Sequence, residues 1–211
     1  AFTAKTRAII LNTPHNPTGK VFSRTELEGL AAVVRRHPQL LVVCDEVYEH
    51  LVYDGREHVR FASLDGMWDQ SLTVSSAGKT FSVTGWKVGW VVGPAPLVRS
   101  VMLANAWVQF SVPTPTQAAV ALALDRADGV YEGFPSYFDW LRAQYVRRRD
   151  TLVDALRDGG LDPVVPEGGF FIMARTDGVD PPAAYLAEST EACPVMTRDW
   201  AWCRWLTREV G

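Results

Sequence analysis

LLVVCDE, residues 40–46, is a continuous apolar run that ends in two carboxylates. Runs of this kind are typical of strands that a parallel sheet buries on both faces. Outward from it, RAIILN at residues 7–12 is a second short apolar run, and SLTVSS and VGWVVG, at residues 71–76 and 88–93, are two more. Turn-forming residues close the first run. The chain therefore begins with the strands and helices of an α/β fold.

A helix with a defined start follows the first run. Ser23 and Glu26 have the spacing of a capping box, in which each side chain accepts a hydrogen bond from the other residue's backbone. Further along the chain, apolar residues recur at helical spacing. This spacing predicts three long helices, at residues 96–110, 114–127 and 135–160.

The last third of the chain is predicted to form a smaller unit. Residues 163–166 and 168–174 read as a pair of strands joined by a turn that includes Glu167. We therefore expect a large α/β domain with a mainly parallel sheet, followed by part of a smaller α+β domain. Because the long third helix links the two, we place residues 1–133 in the first domain and residues 134–211 in the second.

Composition and charge argue against several classes of partner. The formal net charge is −3, so nothing in it favours nucleic acid or an anionic membrane surface. The three cysteines and four histidines lack metal-ligand spacing, and an odd number of cysteines favours free thiols in a reducing compartment. We expect no metal, no nucleic acid, no membrane and a cytoplasmic location, with a mitochondrial location as the alternative.

Polar side chains follow the predicted strands at the points where the strands end. Asn16 follows the first strand, Asp45 and Tyr48 follow the second, and Ser76 and Lys79 follow the third. The carboxyl ends of parallel strands form the edge where α/β domains bind their ligands. We therefore expect these side chains to converge. Taken alone, each has an ordinary explanation, such as a turn for Asn16 or core packing for Tyr48.

SSAGKTFSVTGWKVGW, residues 75–90, contains two lysines, Lys79 and Lys87. A lysine nucleophile needs a neutral amine or one already joined to a carbonyl, and a nearby cation favours the neutral form. Lys87 has two compatible roles, as that cation or as a phosphate ligand together with the Ser76 hydroxyl. The pair suits a cofactor with both an aldehyde and a phosphate, which describes pyridoxal 5′-phosphate. Asp45 would keep its pyridine nitrogen protonated.

Three segments, in order, resemble motifs of one known family. They are NTPHNPTGKVFS at residues 12–23, CDEVYEHLVYDG at residues 44–55 and the lysine-containing segment at residues 75–90. They are similar to the class I/II aminotransferases, the fold-type I enzymes that use pyridoxal phosphate. The subgroup that they resemble most is that of kynurenine aminotransferase and glutamine transaminase K. The resemblance implies a three-layer αβα large domain.

The resemblance also implies a role for each residue at the predicted sheet edge. Lys79 would form a Schiff base with the cofactor aldehyde and then shuttle protons. Asp45 would pair with the ring nitrogen, and Asn16 and Tyr48 would hydrogen-bond the phenolic oxygen of the ring. Lys79, Asp45 and Tyr48 are therefore the expected catalytic residues.

Ser76 and Lys87 would hold the cofactor phosphate, so the two lysines would have different tasks. Lys79 would bind the aldehyde carbon of the cofactor, whereas Lys87 would bind the negatively charged phosphate. Many relatives in the wider family carry arginine where Lys87 stands. A lysine ammonium still attracts the phosphate, but it fixes the geometry less tightly than an arginine guanidinium, which can make two parallel hydrogen bonds.

The activity that the resemblance implies is transfer of an amino group between an L-amino acid and a 2-oxo acid. The amino acid would be of the kynurenine, glutamine, methionine or aromatic type. Three alternatives stay open. They are cleavage of cysteine S-conjugates, another aminotransferase of the succinyl-diaminopimelate, aspartate or methionine type, and a regulator that senses a ligand through such a domain.

The resemblance implies two further features of the whole protein. Relatives are typically homodimers with the site at the interface, so we expect a homodimer. They also supply a phosphate-binding loop and a substrate-binding arginine from sequence outside the range that this chain resembles. We therefore expect the chain to be an internal piece of a longer polypeptide, and to be inactive alone.

Overall fold

The structure is a computed structural model that describes residues 2, 3 and 5–210. Its main sheet has four strands in the order β1–β2–β3–β4. The strands are β1 Ala8–Asn12, β2 Leu41–Asp45, β3 Ser71–Ser76 and β4 Gly89–Val92. β1, β2 and β3 run parallel, and β4 runs antiparallel to β3. The predicted α/β fold with a mainly parallel sheet is therefore confirmed.

Seven α-helices accompany the strands in the described residues. They are α1 Arg24–Val34, α2 Ala77–Thr80, α3 Ala95–Val108, α4 Thr114–Ala127, α5 Tyr137–Asp158, α6 Ala183–Ala187 and α7 Arg198–Trp205. The three long helices predicted after Pro94 correspond to α3, α4 and α5. Within the described ranges, none of the helices combines the length and the apolar character that crossing a bilayer requires.

The chain divides into two compact units. The first holds the described residues up to Arg147 together with Pro166–Phe171. The second holds Arg148–Val165 and the described residues from Ile172 onward. The domain boundary placed between residues 133 and 134 stays a prediction.

The largest core cluster of the first unit lies between α1 and the sheet. Leu27, Ala31 and Val34 recur every three or four residues along α1, so all three lie on one helical face. They pack in one buried cluster with Val42 and Cys44 of β2. Removing a leucine side chain from water contributes about 2 kcal/mol. The contact fixes β2 in place and thereby positions the residues at its carboxyl end.

The sequence pattern of β4 indicated a strand buried on both faces, and this was wrong. β4 is only half-buried and runs antiparallel to β3. The reason lies in the connection, because the chain turns back after α2 and reaches a left-handed residue at Lys87, with a φ of 55°. The backbone N–H of Ala77 then donates to the carbonyl of Val88 at 3.1 Å.

The pair of strands predicted near Glu167 exists, but its bounds were wrong. β5 spans Asp162–Val164, β6 spans Met173–Arg175, and the two pair antiparallel. Pro166–Phe171, which lies between them, belongs to the first unit. Glu167 donates from its backbone to the carbonyl of Gly19 and accepts from the backbone of Tyr53, both at 2.9 Å. Glu167 is therefore bonded to distant segments of the first unit and does not form a tight turn between the two strands.

The capping box at the start of α1 is present as predicted. The Ser23 hydroxyl accepts from the backbone N–H of Glu26 at 3.3 Å, and the Glu26 carboxylate accepts from the backbone N–H of Ser23 at 2.8 Å. The carboxylate also binds the ammonium of Lys20 at 2.7 Å. The bond from Lys20, followed by those from Ser23, lowers the pKa of Glu26 from 4.5 to about 2.

Replacing Ser23 by alanine removes the acceptor for an N–H at the start of α1. Ser23→Ala is therefore expected to lower the free energy of unfolding of the complete polypeptide by about 1 kcal/mol. Urea denaturation at neutral pH measures the change. Thr25→Ala, at an exposed position in the same turn, is the matched control and is expected to cause no loss, because alanine favours helices. Equal stability of Ser23→Ala and the wild type would contradict the role of the cap.

Candidate active site

The carboxyl ends of β1 and β2 lie level and are tied together. Asn12 and Asp45 are register partners in the parallel pair. The carbonyl oxygen of Asp45 accepts from the side-chain amide of Asn12 at 3.0 Å and from the backbone N–H of Thr13 at 3.1 Å. The next residue, Glu46, donates from its backbone to Val74 of β3 at 3.0 Å. The half-buried Asp45 is thus held between the ends of two neighbouring strands.

Tyr48 lies in the turn that follows β2 and is buried, with 3% of its surface exposed. Burial raises the pKa of its phenol, the negative charge of Asp45 raises it further, and a hydrogen bond with the Asn16 side chain opposes both. Asn16 is held by its own backbone N–H, which donates to the side chain of Asn12 at 2.7 Å. The structure therefore brings Asp45, Tyr48 and Asn16 together, and it keeps the phenol protonated at neutral pH.

Lys79 lies on the short helix α2, directly after β3, and is half-buried. Its Nζ lies 5.8 Å from the ring centroid of Tyr48 and 5.1 Å from that of Phe170. The two rings meet edge to face, with centroids 5.0 Å apart. Aromatic faces attract cations within about 6 Å. The structure thus brings Lys79 to the same edge of the sheet as Tyr48.

Ser76 and Lys87 are brought together by the antiparallel pairing of β3 and β4. Ser76, the last residue of β3, is the register partner of Gly89, which lies two residues after Lys87. The Ser76 side chain makes no capping hydrogen bond to α2. Lys87 is exposed. Its backbone is left-handed, so the chain reverses at this residue. The backbones of Ser76 and Lys87 therefore both lie near the start of the helix that carries Lys79.

Sequence reasoning missed Phe170, because it assigned this residue to a strand. The backbone of the preceding glycine pair explains its position. A Cβ on Gly168 would lie 2.7 Å from the carbonyl oxygen of Leu51, and Gly169 has a φ of +73°. Gly169 donates from its backbone to that same carbonyl at 2.9 Å. Two adjacent glycines before an aromatic residue were the available signal, because they allow such a close approach of backbones.

A carboxylate, a phenol, an amide and a lysine amine thus lie at the carboxyl edge of a mostly parallel sheet. The chain belongs to the aminotransferase class I and II family, whose family model matches residues 1–202. Members of this family generally depend on pyridoxal phosphate.

Three known proteins illustrate the similarity. The chain is 47% identical over 213 residues to the kynurenine–oxoglutarate transaminase of Dictyostelium discoideum. The matched region covers 100% of the chain and 48% of that relative. The N-succinyldiaminopimelate aminotransferase of Mycobacterium tuberculosis matches 89% of the chain, with a TM-score of 0.80 and 40% identity, over 47% of that structure. The methionine aminotransferase YbdL of Escherichia coli matches 99% of the chain and 49% of its own, with a TM-score of 0.81 and 32% identity.

These comparisons confirm the resemblance stated from the three motifs, including its kynurenine aminotransferase subgroup. The chain spans less than half the length of these relatives. The fold-type I architecture is confirmed as well, since the matching structures are aminotransferases.

Gly78 allows α2 to lie close to the chain that returns toward β4. A Cβ on Gly78 would lie 2.9 Å from Cα of Thr84 and 3.2 Å from Oγ of Ser76. Gly78→Ala is therefore expected to lower the free energy of unfolding by about 1–3 kcal/mol, because backbone must move to make room. Urea denaturation of the complete polypeptide measures this change.

Gly85 supplies the matched control, because a Cβ there meets nothing within 4 Å. Gly85→Ala is expected to change the free energy of unfolding by less than about 0.5 kcal/mol. Equal free energies of unfolding for the two variants would contradict the inference that α2 packs closely at Gly78.

Proposed function

We propose that the complete protein binds pyridoxal 5′-phosphate and transfers an amino group between an L-amino acid and a 2-oxo acid. The observation that carries the proposal is the position of Lys79. Its Nζ lies over the rings of Tyr48 and Phe170, beside the strand end that presents Asp45. Membership of the aminotransferase class I and II family supports the same activity.

The residues present fit this cofactor at each of its polar groups. A carboxylate at Asp45 suits the pyridine nitrogen, which it keeps protonated. The phenol of Tyr48 stays protonated because its pKa is raised, so with Asn16 it can donate hydrogen bonds to the ring oxygen. At Ser76, Oγ makes no bond to α2, and a Cβ on Gly78 would lie 3.2 Å from it, so the glycine leaves room there for a phosphate.

The side chains of this chain have separate tasks in the proposed reaction. When bound, the cofactor supplies an aldehyde that condenses with amines and a ring that accepts electrons. The amine of Lys79 would hold the aldehyde carbon and, once the substrate amine has displaced it, would take the proton from the α-carbon of the substrate. Asp45 would hold a proton at the ring nitrogen. Ser76 and Lys87 would anchor the phosphate and so keep the ring in place during proton transfer.

The amino donor that we propose is of the kynurenine or another aromatic type, and the acceptor is 2-oxoglutarate. The similar transaminase of Dictyostelium discoideum is named for these two compounds. The rings near Lys79 support an aromatic donor. Phe170 meets Tyr48 edge to face and lies parallel to Tyr145, with centroids 6.1 Å apart. Methionine and succinyl-diaminopimelate are the alternative donors, since similar structures carry those names.

We also infer that the protein is a homodimer, as the family resemblance implies. Trp107 and Val108 on α3 support this inference, because they are 91% and 79% exposed. Contiguous exposed apolar side chains often mark a protein–protein interface. A second copy is the partner that the resemblance favours. The cytoplasmic location stays a prediction.

Changing either lysine separates their two tasks. Lys79→Ala is expected to lower turnover at least a thousandfold, because the amine is both the attachment point and the base. Borohydride reduction with pyridoxal phosphate, followed by peptide mass spectrometry, is expected to label position 79 in the wild type only. Lys87→Ala is expected to keep the label but to bind the cofactor roughly ten- to a hundredfold more weakly, since a charge-assisted bond is lost.

Lys79→Arg and Lys5→Ala are the matched controls for that experiment. Lys79→Arg keeps the positive charge and is expected to lose both turnover and label, whereas Lys5→Ala, at an exposed position, is expected to keep both. A wild-type protein that binds the cofactor without labelling at Lys79 would overturn the assignment.

The donor is tested on the complete wild-type protein with cofactor and 2-oxoglutarate. Formation of glutamate is measured with kynurenine, glutamine, methionine and succinyl-diaminopimelate as donors, and pyruvate release is measured with a cysteine S-conjugate. Kynurenine is expected to give the highest kcat/KM. A higher value for methionine or succinyl-diaminopimelate would reassign the donor, and pyruvate as the main product would favour the lyase.

A further inference from the structure

Glu46 directly follows Asp45, but its side chain is completely buried. Glu46 follows β2 and bonds the backbone of Phe61, which packs in the same buried cluster as Cys44. Successive side chains of a strand point to opposite faces, so this cluster lies on the face away from Asp45. Both of its oxygens have partners. Oε1 accepts from the backbone N–H of Phe61 at 3.1 Å, and Oε2 lies 3.0 Å from Nε2 of His58. The carboxylate is therefore fixed from both sides.

His58 is the partner of Glu46 and has little other contact with polar groups. Its side chain is 8% exposed. Its Nδ1 is buried and has no hydrogen-bond partner among the described residues. Because a carboxylate only accepts hydrogen bonds, Nε2 must be the donor to Glu46. Among the described residues, the hydrogen bond from Nε2 to Glu46 is thus the one that holds this ring.

The charged groups around the pair are themselves held in place. Glu49 accepts from the hydroxyl of Ser75 at 2.9 Å and forms an ion pair with Arg60. His50 lies 4.0 Å from Glu49. Burial, followed by the negative charge of Glu46, raises the pKa of the Cys44 thiol to about 12. The thiol therefore stays neutral beside the pair.

Glu46 lies between two of the proposed cofactor ligands. Its backbone N–H donates to Val74 of β3, and its carbonyl accepts from the backbone of Glu49 at 2.9 Å in the turn that presents Tyr48. The residue before it is Asp45. A movement of the Glu46 backbone would therefore displace both the carboxylate and the phenol.

We propose that the buried Glu46–His58 pair positions Asp45 and Tyr48 for the ring of the cofactor. Both members of the pair are positioning residues, since neither shares the face of the sheet on which Asp45 lies. The inference rests on the proposed function, because it assigns a role toward the proposed cofactor.

Glu46→Gln tests the pair with minimal change in shape. With its oxygen on the backbone N–H of Phe61, the amide turns its NH2 group toward Nε2 of His58, which can accept only if the ring proton moves to Nδ1, where it has no partner among the described residues. A buried unmet donor costs enough to weaken cofactor binding roughly tenfold. The dissociation constant of pyridoxal phosphate for the complete polypeptide measures the effect. Glu57→Gln, an exposed glutamate nearby, is the matched control and is expected to bind as the wild type does.

A double-mutant cycle with Asp45→Asn separates positioning from general stability. If Glu46 acts through Asp45, Glu46→Gln is expected to weaken binding less than about threefold in the Asp45→Asn background, because interacting residues are not additive. Two variants at His58 provide a check that does not depend on Glu46→Gln folding. His58→Gln keeps a donor near the Nε2 position and is expected to bind more tightly than His58→Leu.

The outcomes distinguish this inference from the proposed function. A wild-type protein that takes up no cofactor would overturn both. A wild-type protein that binds the cofactor, while Glu46→Gln matches Glu57→Gln, would overturn the positioning role alone. An equal loss of binding in the wild-type and Asp45→Asn backgrounds would overturn the positioning of Asp45, and equal binding by His58→Gln and His58→Leu would overturn the role of His58.

Discussion

The hydrogen bonds accepted by the carbonyl of Asp45 hold the ends of two parallel strands level. Asn12 and Thr13 both donate to this oxygen, and the next peptide donates across to β3. A strand that slipped by one residue would turn every side chain to the other face of the sheet. Asp45 would then point away from Tyr48 and Asn16. The whole candidate site thus depends on this register, which the packing of α1 against β2 maintains.

The register also explains how two lysines eight positions apart come to have different surroundings. Lys79 follows β3 directly and lies among aromatic rings. Lys87 lies after the chain has reversed and is exposed. A half-buried amine beside rings can be held in one position against a carbonyl carbon, whereas an exposed lysine is accessible to an anion. The sequence alone left both roles open for Lys87.

Much of this arrangement could be predicted from the sequence because short-range patterns determine it. Continuous β-branched runs identified β1, β2 and β3, and the spacing of Ser23 and Glu26 identified the start of α1. The direction of β4 could not be predicted in this way, since its residues pack equally well in a parallel or an antiparallel strand. Phe170 was missed because its neighbours Tyr48 and Lys79 lie more than ninety positions away, and the local glycine pair indicates a close approach of backbones without indicating which residues it brings together.

The glycine pair before Phe170 has a consequence for how the protein is made. Pro166–Phe171 belongs to the first unit, although the segments on both sides of it belong to the second. The chain therefore passes from one unit to the other three times, so no single cut separates them. During synthesis, the residues through Phe171 must leave the ribosome before Phe170 can pack against Tyr48 beside Lys79. The second unit is thus partly translated while the first is still incomplete.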